Sequence, residues 1–247
     1  MRLPWVIPRR GGGPTKKGEL SITRTAVVTG ANRGIGLEVC RQLAASGFTA
    51  ILTARDSERG ALAAKNAGVD FQQLDVTSED SVQTAISEIT RRHTRIDVLV
   101  NNAAIHYDTW QSAADADLVI VRDALNTNLL GAWRTSLAAI PLMHQNGWGR
   151  IVNVSSEGGS LASMGGGAPS YSVSKAGLHA LTRLLASELA RTGILVNSVC
   201  PGWVATDMGG GDGRPVEAGA ASVMWAILLD DDGPTGGFYR DGKSLPW

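Results

Sequence analysis

Along nearly the whole chain, apolar runs of strand length alternate with segments of helical period, and no other feature restricts the fold as much. Thr25 to Thr29 (TAVVT), Ala50 to Thr53, Phe71 to Leu74, Asp97 to Val100 (DVLV), Arg150 to Val154 (RIVNV), Ile194 to Val199 and Gly237 to Tyr239 read as strands. Ile35 to Ala45, Arg59 to Ala67, Glu79 to Arg92, most of Leu118 to Gln145, Tyr171 to Arg191 and Val216 to Leu228 read as helices. Strands that are apolar throughout must be covered on both faces, so the pattern predicts a parallel sheet between two helical layers. Right-handed crossovers make such a sheet doubly wound. With no repeat or linker inside it, the segment 24–247 is expected to be one domain.

Composition narrows the partners. Hydrophobic residues make up 43% of the 247, enough for a sizeable core, and 23 basic residues balance 23 acidic ones. That neutrality gives no reason to expect nucleic acid or an anionic membrane as a partner, and favours a small-molecule substrate. Cys40 and Cys200 lie in apolar segments and form no disulfide framework, and the four histidines show no metal-ligand spacing, so no metal is expected. No run approaches the ~20 apolar residues of a membrane helix. Residues 1–23 carry Arg2, Arg9, Arg10, Lys16 and Lys17 without a signal-type apolar stretch, so they read as a flexible basic leader. A cytoplasmic location is the corresponding expectation.

The first strand runs into Thr29-Gly30-Ala31-Asn32-Arg33-Gly34-Ile35-Gly36. Glycines at 30, 34 and 36 permit a tight turn and close backbone approach to a pyrophosphate, which the free N–H groups and dipole of the following helix then favour. This placement points to a doubly wound parallel sheet of the Rossmann type that binds a dinucleotide. A ribose-binding acid is expected roughly 20 residues on. The sequence there is Leu52-Thr53-Ala54-Arg55. Arg55, with Arg33 in the loop, could clamp a 2′-phosphate instead, which favours NADP(H).

Tyr171 and Lys175 stand at i and i+4 near the start of a long helix and share one face. A phenol titrates near 10, and a neighbouring ammonium favours phenolate; lowering that pKa by about three units takes roughly 4 kcal/mol. Upstream, the strand Ile151 to Val154 ends in Ser155-Ser156-Glu157-Gly158, where open parallel sheets bind their ligands, so a serine hydroxyl there can polarise a carbonyl.

With these motifs in order, the sequence resembles the classical short-chain dehydrogenase/reductase family from Thr25 onward. The matching stretches are TGxxxGxG at Thr29 to Gly36, DVT at Asp75 to Thr77, NNA at Asn101 to Ala103 and the helix asparagine Asn128. SSxxG at Ser155 to Gly159, YxxxK at Tyr171 to Lys175 and PGxxxT at Pro201 to Thr206 complete the set. The resemblance implies that Tyr171 is the acid/base, Ser156 holds the carbonyl oxygen, Lys175 holds the nicotinamide ribose and Asn128 positions a water. It further implies adenine contacts from Asp75 and Val76, a ribose wall from Asn101 and Ala103, and a carboxamide clamp from Val204 and Thr206 beside Pro201 and Gly202. The activity implied is NADPH-dependent interconversion of a ketone or aldehyde with an alcohol. The alternative is a non-catalytic NADPH-binding regulator on the same fold.

Two positions depart from the family pattern. Ala104 stands where a glycine is usual, and the interval from Ser156 to Tyr171 is longer than common, leaving Ser155 as a second candidate. Ile105, His106, Tyr107, Trp110, Glu157, Trp203 and Asp207 to Pro215 are the expected pocket walls and a mobile, glycine-rich lid. Local wording (TGANRGIG, LTARD, GPTGGFYRDGK) is similar to carbonyl-reductase and menthone-reductase-like members, without the large insertion that makes some of them monomeric. The apolar faces over Leu129–Met143 and Leu178–Leu189 serve either a homodimer or homotetramer interface or the core.

Overall fold

All four residues of β1 (Thr25–Val28) are buried, as a central strand with helices on both faces requires. In the computed structural model, which describes residues 23–247, β1 lies parallel between β2 (Thr49–Ala54) and β4 (Val98–Asn101). The basic leader, save its last residue, falls outside the described residues. β3 (Asp70–Gln73), β5 (Gly149–Val154), β6 (Ile194–Val199), β7 (Phe238–Arg240) and β8 (Lys243–Ser244) complete one sheet of order β3-β2-β1-β4-β5-β6-β7-β8. Every pairing is parallel except β7 with β8. The single domain expected from the sequence is therefore a Rossmann-type doubly wound sheet, with its order reversing between β1 and β4.

Alternation along each strand divides the core in two. Val27, Ile51, Leu99, Ile151 and Val196 face α3 (Glu79–His93), α5 (Ala132–Asn146) and α6 (Pro169–Glu188). Val28, Leu52, Val100, Val152 and Val199 face α1 (Gly34–Ala45) and α7 (Val216–Ile227). Local signals set the ends of the connecting helices. Asp56 accepts from Arg59 N at the start of α2 (Ser57–Ala67), and Gly68 ends it in the left-handed region at φ 67°. Ser78 caps α3 in the same way, through Ser81 N.

The stretch read as one helix from Leu118 is in fact α4 (Leu118–Ala124), a π-helical segment over Leu125–Gly131, and then α5. A period-3.6 reading cannot register such a widening, which is common beside functional sites. It turns Asn128 inward. The apolar faces split between the two roles left open: Met143, Leu178, Leu181 and Leu185 join the core, while Leu130, Trp133, Leu137 and Leu184 remain exposed. At one edge of the sheet, Arg92 donates to Phe71 O and Gln72 Oε1 of β3. At the other, β8 folds back on β7 for two residues. Among the described residues, no helix is long and apolar enough to cross a membrane.

Two buried titratable side chains stand near opposite ends of the strands. Asp97 is fully buried before β4 and accepts from Thr25 N at 2.8 Å, Arg95 Nε at 2.7 Å and Nη2 at 2.6 Å, and Asn146 Nδ2 at 3.2 Å. Asp97→Ala strands these donors and should cost about 3 kcal/mol in a urea titration, with Asp97→Asn in between. His179 of α6 packs on Phe238 and Trp247, and burial pulls its pKa down to about 4. Between about 6.5 and 4 the unfolded imidazole therefore binds more protons than the folded one. Stability should fall as pH drops through that window and be insensitive to this group above it. Melting temperatures against pH should show a shallower acid limb for His179→Gln.

Candidate active site

The reversal between β1 and β4 opens the crevice in which this fold takes its ligands. Its floor is held by the Thr29 hydroxyl and the Asn102 side-chain amide. Thr29 Oγ1 accepts from Asn102 N and Ala103 N, both at 3.0 Å, and donates to Val100 O, while Asn102 Nδ2 donates to the carbonyls of Thr29 and Gly30. Gly30 and Gly36 allow this closeness. A Cβ on Gly30 would lie 2.8 Å from Ala103 Cα, and one on Gly36 would lie 2.5 Å from Asn102 Nδ2.

A cavity of about 560 Å³ runs along the crevice. Its wall is formed by Arg33, Arg55, Asp75, Val76 and Thr77 from the segments after β1, β2 and β3, by Gly30, Asn32, Gly34, Ile35 and Ala103 from the loops after β1 and β4, and by Tyr107, Tyr171, Trp203 and Met208. α1 starts at the wall with Arg33 at its N-cap, no side chain on its first N–H groups and no acid in its first turn. These features fit a nicotinamide dinucleotide: a groove of this size, a helix N-terminus free for phosphate, and two guanidinium groups on the wall. Arg33 pairs with Asp207 across the groove at 2.6 Å, both side chains largely exposed. The Asp75 carboxylate is taken up by Thr77 N and Oγ1, so its side chain shapes the turn as well as lining the wall.

Tyr171 enters the cavity from the first turn of α6, and Lys175 one turn later, as the i, i+4 spacing requires. Lys175 is buried; its Nζ donates to Val154 O at 2.8 Å and lies 5.5 Å from the Tyr171 ring centre. Burial pulls the Lys175 ammonium down to about 8. Burial also pushes the Tyr171 phenol up, which the hydrogen bond with Ser156 partly offsets. Of the two serines, Ser156 is the one beside Tyr171. Ser155 is buried, with Oγ 2.7 Å from His179 Nε2. Ser156 also caps the short 3₁₀ turn Glu157–Gly159, so the strand end aims its hydroxyl.

Other expected residues fall differently. Asn101 does not line the cavity: as the last residue of β4 its side chain turns towards α5, where its amide bonds Asn153, Ser136 and Ala132 O and its carbonyl oxygen accepts from Thr135. Its neighbour Asn102 is the one on the wall. Asn128 is buried behind the wall, its two amide hydrogens committed to Ile105 O and Ser174 Oγ and its Oδ1 accepting from Ile105 N. It pins the loop after β4 to α6. Gly36 likewise lies behind the loop it permits. Pro201, Gly202, Val204 and Thr206 line the groove, and Ala104 and Ile105 do so too.

The glycine-rich lid is tied down more than its composition suggests. Val204 bridges to Arg214 and Thr206 to Gly210, and a Cβ on Gly209 or Gly213 would run into the backbone of Val204. Glu157 pairs with Arg240 outside the groove, His106 is not on its wall, and Trp110 is largely exposed. Sequence reasoning missed Asp108, whose partners on α6 lie 62 and 63 residues away, and Cys200, whose position on the wall follows only from the parallel pairing of β5 and β6. An NNA motif does draw the eye to Asn102, but not to which of two adjacent asparagines points where.

The comparisons agree with this geometry. A family profile described as short chain dehydrogenase matches residues 24–215. Short-chain dehydrogenase/reductase 1 of Saponaria officinalis is 33% identical, over 92% of this chain and 97% of its own. Carbonyl reductase [NADPH] 1 of Sus scrofa is 32% identical, over 92% and 95%. The crystal structure of NADPH-bound carbonyl reductase from chicken fatty liver superposes with a TM-score of 0.81 at 30% identity, covering 91% of this chain and 99% of that one. The alignment with the Saponaria protein spans 296 positions, more than this chain's 247 residues, so that relative carries segments absent here. This chain belongs to the short-chain dehydrogenase/reductase family of oxidoreductases, as a classical, carbonyl-reductase-like member.

Proposed function

We propose that this protein reduces a ketone or aldehyde to an alcohol (and runs the reverse reaction) with NADP(H). The observation that carries the reading is one groove lined both by Arg33 and Arg55, in the segments after β1 and β2, and by Ser156, Tyr171 and Lys175, gathered at the end of β5. Arg33 and Arg55 would hold a 2′-phosphate, in keeping with the NADPH named for the pig and chicken relatives. Gly30 to Gly36 and the α1 N-terminus would take the pyrophosphate, while Val204 and Thr206 would flank the carboxamide. A bound nicotinamide supplies the hydride.

The chain's own groups do the rest. Ser156 donates to the substrate oxygen and so stabilises charge developing there. Tyr171 gives its phenolic proton to that oxygen as the alkoxide forms. Buried Lys175 sets its ammonium 5.5 Å from the tyrosine ring, where it is placed to hold the ribose. Tyr107 stands edge-on to Tyr171, with ring centres 5.3 Å apart, and against Trp203 at 5.8 Å, so the carbonyl enters beside an apolar, aromatic wall. That suits a medium-sized ketone or aldehyde. The exposed row Leu130, Trp133, Leu137 and Leu184 supports self-association as a homodimer or homotetramer. Two buried free thiols, Cys40 and Cys200, suit the reducing cytoplasm.

Titration with NADPH and NADH by nicotinamide fluorescence, followed by a panel of ketones and aldehydes, tests the proposal. NADPH should bind more tightly, and replacing Arg33 and Arg55 by alanine should weaken it roughly 10- to 100-fold with little change for NADH. Failure of both cofactors to bind would refute the reading, and binding without turnover on any carbonyl would favour the regulator. Tyr171→Phe should keep cofactor affinity and lose turnover by roughly 100-fold or more. Because Lys175 loses its charge near pH 8, carbonyl reduction should decline as pH rises through about 8.

A further inference from the structure

The helix that carries Tyr171 begins without a cap of its own. Its N-cap residue is Ala168, which has no side-chain acceptor, and Pro169 follows. The first N–H groups of any α-helix lack intrahelical partners, and leaving them dry or unpaired frays the first turn. Tyr171 stands in that turn.

The missing cap arrives from another loop. Asp108, fully buried in the segment after β4, accepts from Ser170 N at 3.0 Å and from Tyr171 N at 3.1 Å, and also from the Ser170 hydroxyl. Gln111 Nε2 donates to the same carboxylate at 3.1 Å. A carboxylate at a helix N-terminus gains from both the N–H groups and the dipole. Burial alone would raise this carboxyl, but the donors outweigh it and hold Asp108 below its usual range.

Backbone strain stands on both sides of the link. His106, just before Tyr107, has φ 57°, and Ala168 has φ 46°. Each is a non-glycine residue in the left-handed region, a conformation that persists only where the surroundings enforce it. The residue next to Asp108 is Tyr107, whose ring stands at 90° to that of Tyr171. One carboxylate thus fixes the start of α6 and the loop that brings the aromatic wall to it.

We propose that Asp108 is a positioning residue for the reaction: by capping α6 from the β4 loop, it sets Tyr171 and Tyr107 relative to each other. This rests on Tyr171 acting as the proton donor. Around the phenol stand Lys175, Tyr107, Cys200 and Ser156, and Asp108 contributes a negative charge at the backbone of the same residue. Removing that charge leaves the helix dipole unopposed and favours phenolate.

The test compares Asp108→Asn and Ser170→Ala with the parent protein. Asp108→Asn should lower kcat about tenfold or more while NADPH affinity stays within about twofold, since the phosphate loop and arginines lie outside the link. It should also move the Tyr171 limb of the pH profile to lower pH. Ser170→Ala, which keeps the carboxylate and both N–H donors, should leave that limb in place. The chain has three tyrosines, so tyrosinate absorbance, corrected with Tyr171→Phe, reads the phenol directly without any substrate. That readout separates failure of this proposal from failure of the reductase reading. Unchanged kcat and an unmoved phenol in Asp108→Asn would overturn the assignment. Parallel losses of kcat, NADPH affinity and melting temperature would also overturn it, by making Asp108 a general support of the fold.

Discussion

The contact on which the site depends is the Thr29 hydroxyl between β1 and β4. In a doubly wound sheet these two strands are neighbours whose following segments leave towards opposite faces, and the last ladder bond between them runs from Thr29 N to Val100 O. Thr29 Oγ1, with two N–H donors and one carbonyl acceptor, ties the two loops together beyond that bond. Gly30 and Gly36 then let Ala103 and Asn102 approach the loop closely. A methyl group at either glycine would force the two loops apart before any ligand was involved.

Behind the crevice, buried polar groups are satisfied by one another. Asn101, Asn153, Thr135, Ser136, Thr182 and Ser198 form a connected set running beneath the strand ends. Such a set specifies one arrangement, because a shift of any member strands a donor in a dry interior. The charged groups are sorted by place. Arg33 and Arg55 follow β1 and β2, while Lys175, against the end of β5, is the one ammonium on the wall among the described residues. That single buried cation stands next to a phenol.

Much of this was legible in the sequence because the parallel α/β pattern and the glycine loop are local signals. β1 and β6 differ little from the runs TAVVT and ILVNSV, and Tyr171 and Lys175 share a helical face by spacing alone. What escaped has a common cause. Asn101 and Asn102 look equivalent in a string, and only the strand's side-chain direction separates them. The π-helical segment that turns Asn128 inward adds nothing to composition, and the Asp108 cap joins loops far apart in the chain. The lid glycines read as mobility, whereas two of them are close-packing positions against Val204.

The two edges of the sheet determine how copies of this molecule can meet. An uncovered strand edge is a row of unpaired donors and acceptors that invites another chain to extend the sheet. Here β3 ends the sheet beneath the Arg92 guanidinium, and β8 ends it as two exposed residues, one of them Lys243. Neither offers a length of flat backbone for a ninth strand. Growth by strand addition, with its tendency towards open-ended fibres, is thereby disfavoured, and ordered association is left to side chains on the helical surfaces, where contact geometry can close on itself.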